Sequence, residues 1–99
     1  MRYNFEWDHS KARRNLEKHK IGFENAAEVF LDPLALSIFD GEHSGREERW
    51  ITLGKDSNGI TLVVVHTFKE ESEGQCDIRM ISARRATRKE RKQYEEGAE

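Results

Sequence analysis

The chain has one cysteine, one proline and no apolar run long enough to cross a membrane. Each scarcity excludes something. A single thiol, Cys76, cannot form an internal disulfide, and a reducing cytoplasm is the expected compartment. A spanning helix needs roughly 18 or more consecutive apolar residues, so no membrane insertion is expected. The opening residues Met1-Arg2-Tyr3-Asn4-Phe5-Glu6-Trp7 lack the apolar centre of a secretory signal. No glycine-rich phosphate loop is present. No pair of histidines or cysteines has zinc-ligand spacing, and Asp40-x-Glu42-His43 is a weak arrangement of metal donors, so neither a metal nor a cofactor is expected. Cys76 has Asp77 beside it and no clear base, which argues against a nucleophile. Repeats, linkers and low-complexity segments are absent too. The 99 residues predict one domain over 1–99, with a core from about 3 to 95 and a frayed tail at 96–99.

What the chain does have is charge, unevenly placed. The net charge is −2, which argues against a generic nucleic-acid binder. Residues 1–20 carry six basic and three acidic groups, and residues 79–99 carry seven and four. Residues 21–48 carry one basic and seven acidic groups. Folding can gather the basic ends into one patch, while the acidic stretch suits a basic partner.

Local patterns predict the element order strand, helix, helix, four strands, helix. Residues 3–7 alternate aromatic and polar, a strand signal, and Asp8 follows as an N-cap. Residues 9–20 predict a helix with Ala12, Leu16 and His19 on its apolar face, ending between Lys20 and Gly22. A second helix opens at Phe23, and Asp32-Pro33 stops it, because the residue before proline avoids helical dihedrals. Strands are predicted over 34–39 and 48–54, with a turn-rich link at 40–46. Asn58-Gly59 marks a hairpin turn, and 60–67 is apolar on both faces, as a central strand is. Residues 69–75 read as a charged, mobile loop, with Cys76 at its end. A last strand follows at 77–84. Thr87 and Glu90 form a capping box for a helix over 88–95. Short hairpin links favour an antiparallel sheet, hence an α+β fold.

The chemistry concentrates at 43–49, His-Ser-Gly-Arg-Glu-Glu-Arg. Guanidiniums grip phosphate in bidentate fashion, and a carboxylate or imidazole can move protons. Arg49 and Arg79 each sit inside an apolar strand, where a long charged side chain needs water or a partner. Glu48 points to the face opposite Arg49. Glu47 shares the face of Arg49 if the strand already includes it, which allows either a structural ion pair or a carboxylate poised by an arginine. Arg84, Arg85, Arg88, Lys89, Arg91 and Lys92 crowd the start of the last helix, where cations and a helix N-terminus suit phosphate. Lys11, Asn15 and Lys18 share one helix face, either solvated or turned to a polyanion. His66, after three valines, reads as a hydrogen-bonded structural residue. His19 lies near a helix C-terminus, where imidazolium is favoured.

Phe5-Glu6-Trp7-Asp8, Lys18-His19, Phe23-Glu24, Ala26-Ala27, Val29-Phe30, Asp32-Pro33, His43-Ser44, Glu47-Glu48-Arg49, Gly54, Val64-Val65-His66-Thr67, Arg79, Ile81-Ser82-Ala83-Arg84, Glu90-Arg91 and Tyr94 together resemble the BrnT toxins of bacterial type II toxin–antitoxin pairs. The resemblance runs from about residue 5 to 94. It implies a RelE-like α+β fold: an antiparallel sheet with two N-terminal helices and one C-terminal helix. It implies a ribonuclease that inhibits translation, and a BrnA-like ribbon-helix-helix antitoxin that neutralises it. The 2:2 complex would bind DNA through the antitoxin and repress its own operon. Family positions imply catalytic roles for His43, Glu47, Glu48, Arg49 and Arg79, and RNA contacts for Arg84 and Tyr94; Lys11, Lys18 and Arg88 are further candidates to hold RNA. The chain departs from the family in carrying Lys20 where glycine usually follows the Lys-His pair, and in a longer, more acidic 69–76 segment, which would repel RNA if it borders the site. The competing class is a non-catalytic module of the same fold that binds nucleic acid or a protein partner.

Overall fold

The computed structural model describes residues 2–97; the end of the expected frayed tail, residues 98 and 99, lies outside them. Strand β1 spans Arg2–Glu6, helix α1 His9–His19 and the short helix α2 Phe23–Ala26, which tightens into a 3-10 segment over Ala27–Leu31. Four strands follow, β2 Leu36–Phe39, β3 Glu48–Lys55, β4 Thr61–Ser72 and β5 Gln75–Arg85, and α3 Arg88–Glu96 ends the chain. The sheet order is β1-β5-β4-β3-β2. Among these elements no helix is long and apolar enough to cross a membrane.

The α+β class stands, but the sheet is mixed: β1 runs parallel to β5, with Phe5 opposite Ile78. Hairpin links constrain only β2 to β5. β1 joins after a long excursion of the chain and is free to lie parallel. The loop expected at 69–75 is instead the far end of a two-stranded ribbon. β4 runs to Ser72 and β5 restarts at Gln75, with Gly74 taking φ 79° in the link. Cys76 is therefore a buried strand residue opposite Tyr3.

Alternation along β4 builds two layers. Leu62 and Val64 face α1, α2 and the 3-10 segment, and with Phe23, Val29, Ile78, Met80 and Ala83 they form the larger core. Val63 faces the other way and packs with Leu53, Ala86 and Tyr94, the last from α3. Gly54 permits this stacking, since a Cβ there would lie 3.1 Å from that of Val29 and 3.2 Å from that of Ala35. α1 docks differently from its apolar pattern. Leu16 is exposed and Asn15 is buried. The Asn15 amide donates to the Ile21 and Ala83 carbonyls (3.0 and 2.9 Å) and accepts from the Ala83 N–H at 3.0 Å. That residue joins α1 to β5, so it belongs to the scaffold rather than to a polyanion-binding strip. Helix α1 ends at Lys20, whose φ of 61° is a left-handed conformation that glycine usually supplies.

Candidate active site

The β4–β5 ladder slips between Val65 and His66: Val65 pairs with Ser82 and His66 with Met80, leaving Ile81 as the extra residue of a bulge. Such a bulge reverses which face the following side chains occupy. Strict alternation would put Arg79 and Ala83 on one face and Arg84 on the other. With the bulge, Ile78, Met80 and Ala83 all enter the larger core, and Arg79, opposite Thr67, turns to the far face. Arg49 is the partner of Thr67 on β3. Arg49, Thr67 and Arg79 thus form a row across three strands, beyond the area covered by α3.

The link from β2 to β3 folds over this row. The Ser44 hydroxyl donates to the Asp40 carbonyl at 2.7 Å and accepts from the Arg49 N–H at 2.9 Å. Nδ1 of His43 lies 2.9 and 3.1 Å from the two oxygens of the Asp40 carboxylate. The Glu47 carboxylate pairs with Nη2 of Arg79. His43, Gly45, Arg46, Glu47, Arg49, Thr67 and Arg79 line a pocket of about 200 Å³. It brings fixed guanidinium charge, one carboxylate and one imidazole around one open space, the equipment for proton transfer beside a phosphate.

The other sequence candidates lie elsewhere. Glu48 is on the opposite sheet face, where its carboxylate accepts from the indole N–H of Trp50 at 3.2 Å. Lys11 and Lys18 ride on α1, which covers that same opposite face. Arg84 shares the face of Arg79, but Nη1 and Nη2 contact the two oxygens of Glu90 at 2.7 and 2.9 Å. Arg84 and hydrogen bonds at the helix cap hold the Glu90 carboxyl down at about 2, and Glu90 in turn raises Arg84. Tyr94 is the buried residue of α3, turned to the sheet, and donates its hydroxyl to Asp32. Burial and that carboxylate push the phenol up to about 12. Arg88 is exposed at the start of α3. Asp40 is the residue that sequence reasoning undervalued. Its i, i+3 spacing to His43 is the signal in the sequence, and it points to a carboxylate–imidazole pair as readily as to metal donors.

His66 is the structural histidine its setting predicts. It is buried, Nε2 lies 2.7 Å from the Thr52 hydroxyl, and Nδ1 donates to the Thr67 carbonyl at 3.1 Å. Burial lowers its pKa against the opposing pull of that carbonyl.

No curated protein sequence matches the chain. The crystal structure of the Brucella abortus ribonuclease toxin BrnT, at 1.1 Å resolution, superposes with a TM-score of 0.60 over 89% of this chain and 100% of that one, at 20% identity. That likeness shows a shared fold. The family model for the BrnT ribonuclease toxin of type II toxin–antitoxin systems matches residues 7–90. The chain therefore belongs to the BrnT family of ribonuclease toxins.

Proposed function

We propose that the pocket between β3, β5 and the 40–47 link cleaves RNA without a metal ion, on a RelE-like scaffold. The observation that carries this reading is the row Arg49–Thr67–Arg79 with Glu47 and His43 at its rim. Two guanidiniums can hold both non-bridging oxygens of a phosphodiester and stabilise the charge that develops there. The Glu47 carboxylate takes the proton of the 2′-hydroxyl, whose oxygen attacks the adjacent phosphorus. The bond to the 5′-oxygen breaks, and His43, held through Nδ1 by Asp40, returns a proton to that oxygen. The products are a 2′,3′-cyclic phosphate and a 5′-hydroxyl. General acid–base assistance of this kind contributes roughly 10²–10⁴-fold.

Cleavage of RNA in the cytoplasm accounts for inhibition of translation. Membership of a toxin–antitoxin family implies an antitoxin. We take it to be a BrnA-like ribbon-helix-helix protein that forms a 2:2 complex and represses the shared operon through its own DNA contacts.

The test is incubation of purified toxin with RNA in EDTA, followed by analysis of the product ends. Cyclic phosphate and 5′-hydroxyl termini support the mechanism. A gel shift with intact RNA supports the non-catalytic module instead.

A further inference from the structure

Among the described residues five large apolar side chains are exposed: Leu16 on α1, Leu31 at the end of the 3-10 segment, and three, Leu34, Ile38 and Phe39, in or just before β2. β2 is the outermost strand. Ile38 is 65% exposed and Phe39 49%, and Leu34 just before the strand is 68% exposed. The Asp40 N–H donates to the Arg49 carbonyl at 2.8 Å. In an antiparallel ladder that contact turns the backbone groups of Ile38 and Leu36 towards β3, and those of Ser37 and Phe39 outward. Soluble proteins usually protect such an edge with lysine, proline or a bulge. β2 reads Leu-Ser-Ile-Phe, and no lysine or arginine occurs from Ile21 to Gly45.

Both flanks of the edge are shaped to receive side chains. On the helix-covered face, Ser37, Trp50, His66 and Phe68 line a cavity of about 190 Å³, and Phe39 packs edge-on against Trp50 at 5.2 Å. On the other face a groove of about 530 Å³ runs between β2 and the end of α3, past Leu36, Ile38 and Glu96. Asp40, Glu42 and Glu48 lie in or beside the 40–47 link that continues from the strand.

We propose that the free edge of β2 is where the antitoxin docks, through an extended segment with apolar residues at alternate positions and lysines or arginines around them. The segment adds to the sheet as a sixth strand, lays its apolar side chains against Ile38 on one face and Phe39 on the other, and meets the acidic rim with its basic groups. Charge and apolar contact decide the occupant. A second copy paired edge to edge would bring like acidic groups together, and RNA has no apolar side chains to cover Ile38 and Phe39. A strand that continues past Phe39 arrives at the link bearing His43 and Glu47, so the same segment reaches the pocket it must neutralise. The proposal rests on the toxin–antitoxin reading, which unaltered toxin tests separately.

The experiment uses the toxin and the product of the antitoxin reading frame beside its gene, purified as a complex and as separate chains. Amide exchange in the complex is expected to slow at Ser37 and Phe39. The double variant Ile38→Lys/Phe39→Lys should weaken binding by about 30-fold or more. Its RNA cleavage as free toxin should equal that of the unaltered chain, because neither residue lines the arginine pocket. Unchanged affinity, or exchange that slows elsewhere but not at Ser37 and Phe39, overturns the docking site. So does slowed exchange at this edge in the free toxin that tracks its own concentration, which assigns the edge to a second copy. If the unaltered toxin neither binds that antitoxin nor cleaves RNA, the broader reading fails instead.

Discussion

Arg79 and Arg84 look equivalent in the sequence, and the structure gives them opposite consequences when removed. Arg79 faces the pocket, with 38% of its side chain exposed and a Glu47 partner that is 46% exposed. An ion pair so open to water contributes at most about 1 kcal/mol. Arg79→Ala should therefore lower the melting temperature by only a few degrees, given roughly 4–8 °C per kcal/mol for a chain of this size. Its effect on cleavage should be far larger. Losing one donor that stabilises developing charge costs roughly 10²–10³-fold in rate, about 3–4 kcal/mol of barrier. Arg79→Lys should recover only part of that, since an ammonium lacks the planar fork. Arg84→Ala should do the reverse. It breaks a two-pronged contact to Glu90, which also accepts from the Thr87 N–H at 2.8 Å. Because the pair is partly exposed, the loss is about 1–2 kcal/mol of stability. Its cleavage rate should stay within about threefold. Single-turnover cleavage of a defined RNA oligonucleotide, with thermal unfolding followed by circular dichroism, reads both quantities on the same samples. A folded Arg79→Ala toxin that keeps more than about a tenth of the rate would refute the site assignment. So would an Arg84→Ala toxin that loses the rate at unchanged stability.

Three further outcomes follow from the scaffold. Asn15→Ala strands three buried backbone groups, of Ile21 and Ala83. It should cost at least about 2 kcal/mol in urea unfolding, and a loss below 0.5 kcal/mol would show that the side chain is incidental. Lys20→Gly relieves the left-handed residue at the end of α1. The relief of about 1 kcal/mol, less the entropy glycine adds to the unfolded chain, should raise the melting temperature by one to a few degrees, roughly; a fall would contradict the strain. His66 is held neutral by burial, with its folded pKa below the ordinary 6.5. The unfolded state then binds more protons, so this contribution is complete above about pH 6.5 and is lost as pH falls through that value towards the folded pKa. Substituting His66→Gln should flatten that part of the stability–pH curve, and an unchanged slope would assign it to other groups.

Much of the fold was legible because its signals are local. Asp8 caps α1 with its carboxylate on the Lys11 N–H at 3.0 Å, as its place before the helix predicts. Both halves of the Thr87–Glu90 capping box are formed. Asn58-Gly59 closes the β3–β4 turn, and the apolar run after it is the central strand, β4. These depend on residues within a few positions of one another. The 43–49 segment also stood out, through residue types that few strands bring together.

What escaped the sequence depends on distant partners. Period-two alternation cannot say where a strand begins, so which of Glu47 and Glu48 lies beside the arginines depended on the pairing of β3 with β4 and on the Glu47–Arg79 contact across three strands. Asn15 lies on a helix whose pattern favours Leu16, and it is buried only because Ala83 offers a carbonyl and an N–H 68 positions away. Arg84 belongs to the basic run by composition, yet Glu90 occupies it. The sequence by itself determined the order of the elements, their caps and turns, and the segment that gathers arginines, carboxylates and a histidine. Only the tertiary structure decided which of those groups meet. A single extra residue at Ile81 sets the face of Arg79, and a bulge of that kind is stabilised by the core it aligns rather than by its neighbours in the chain.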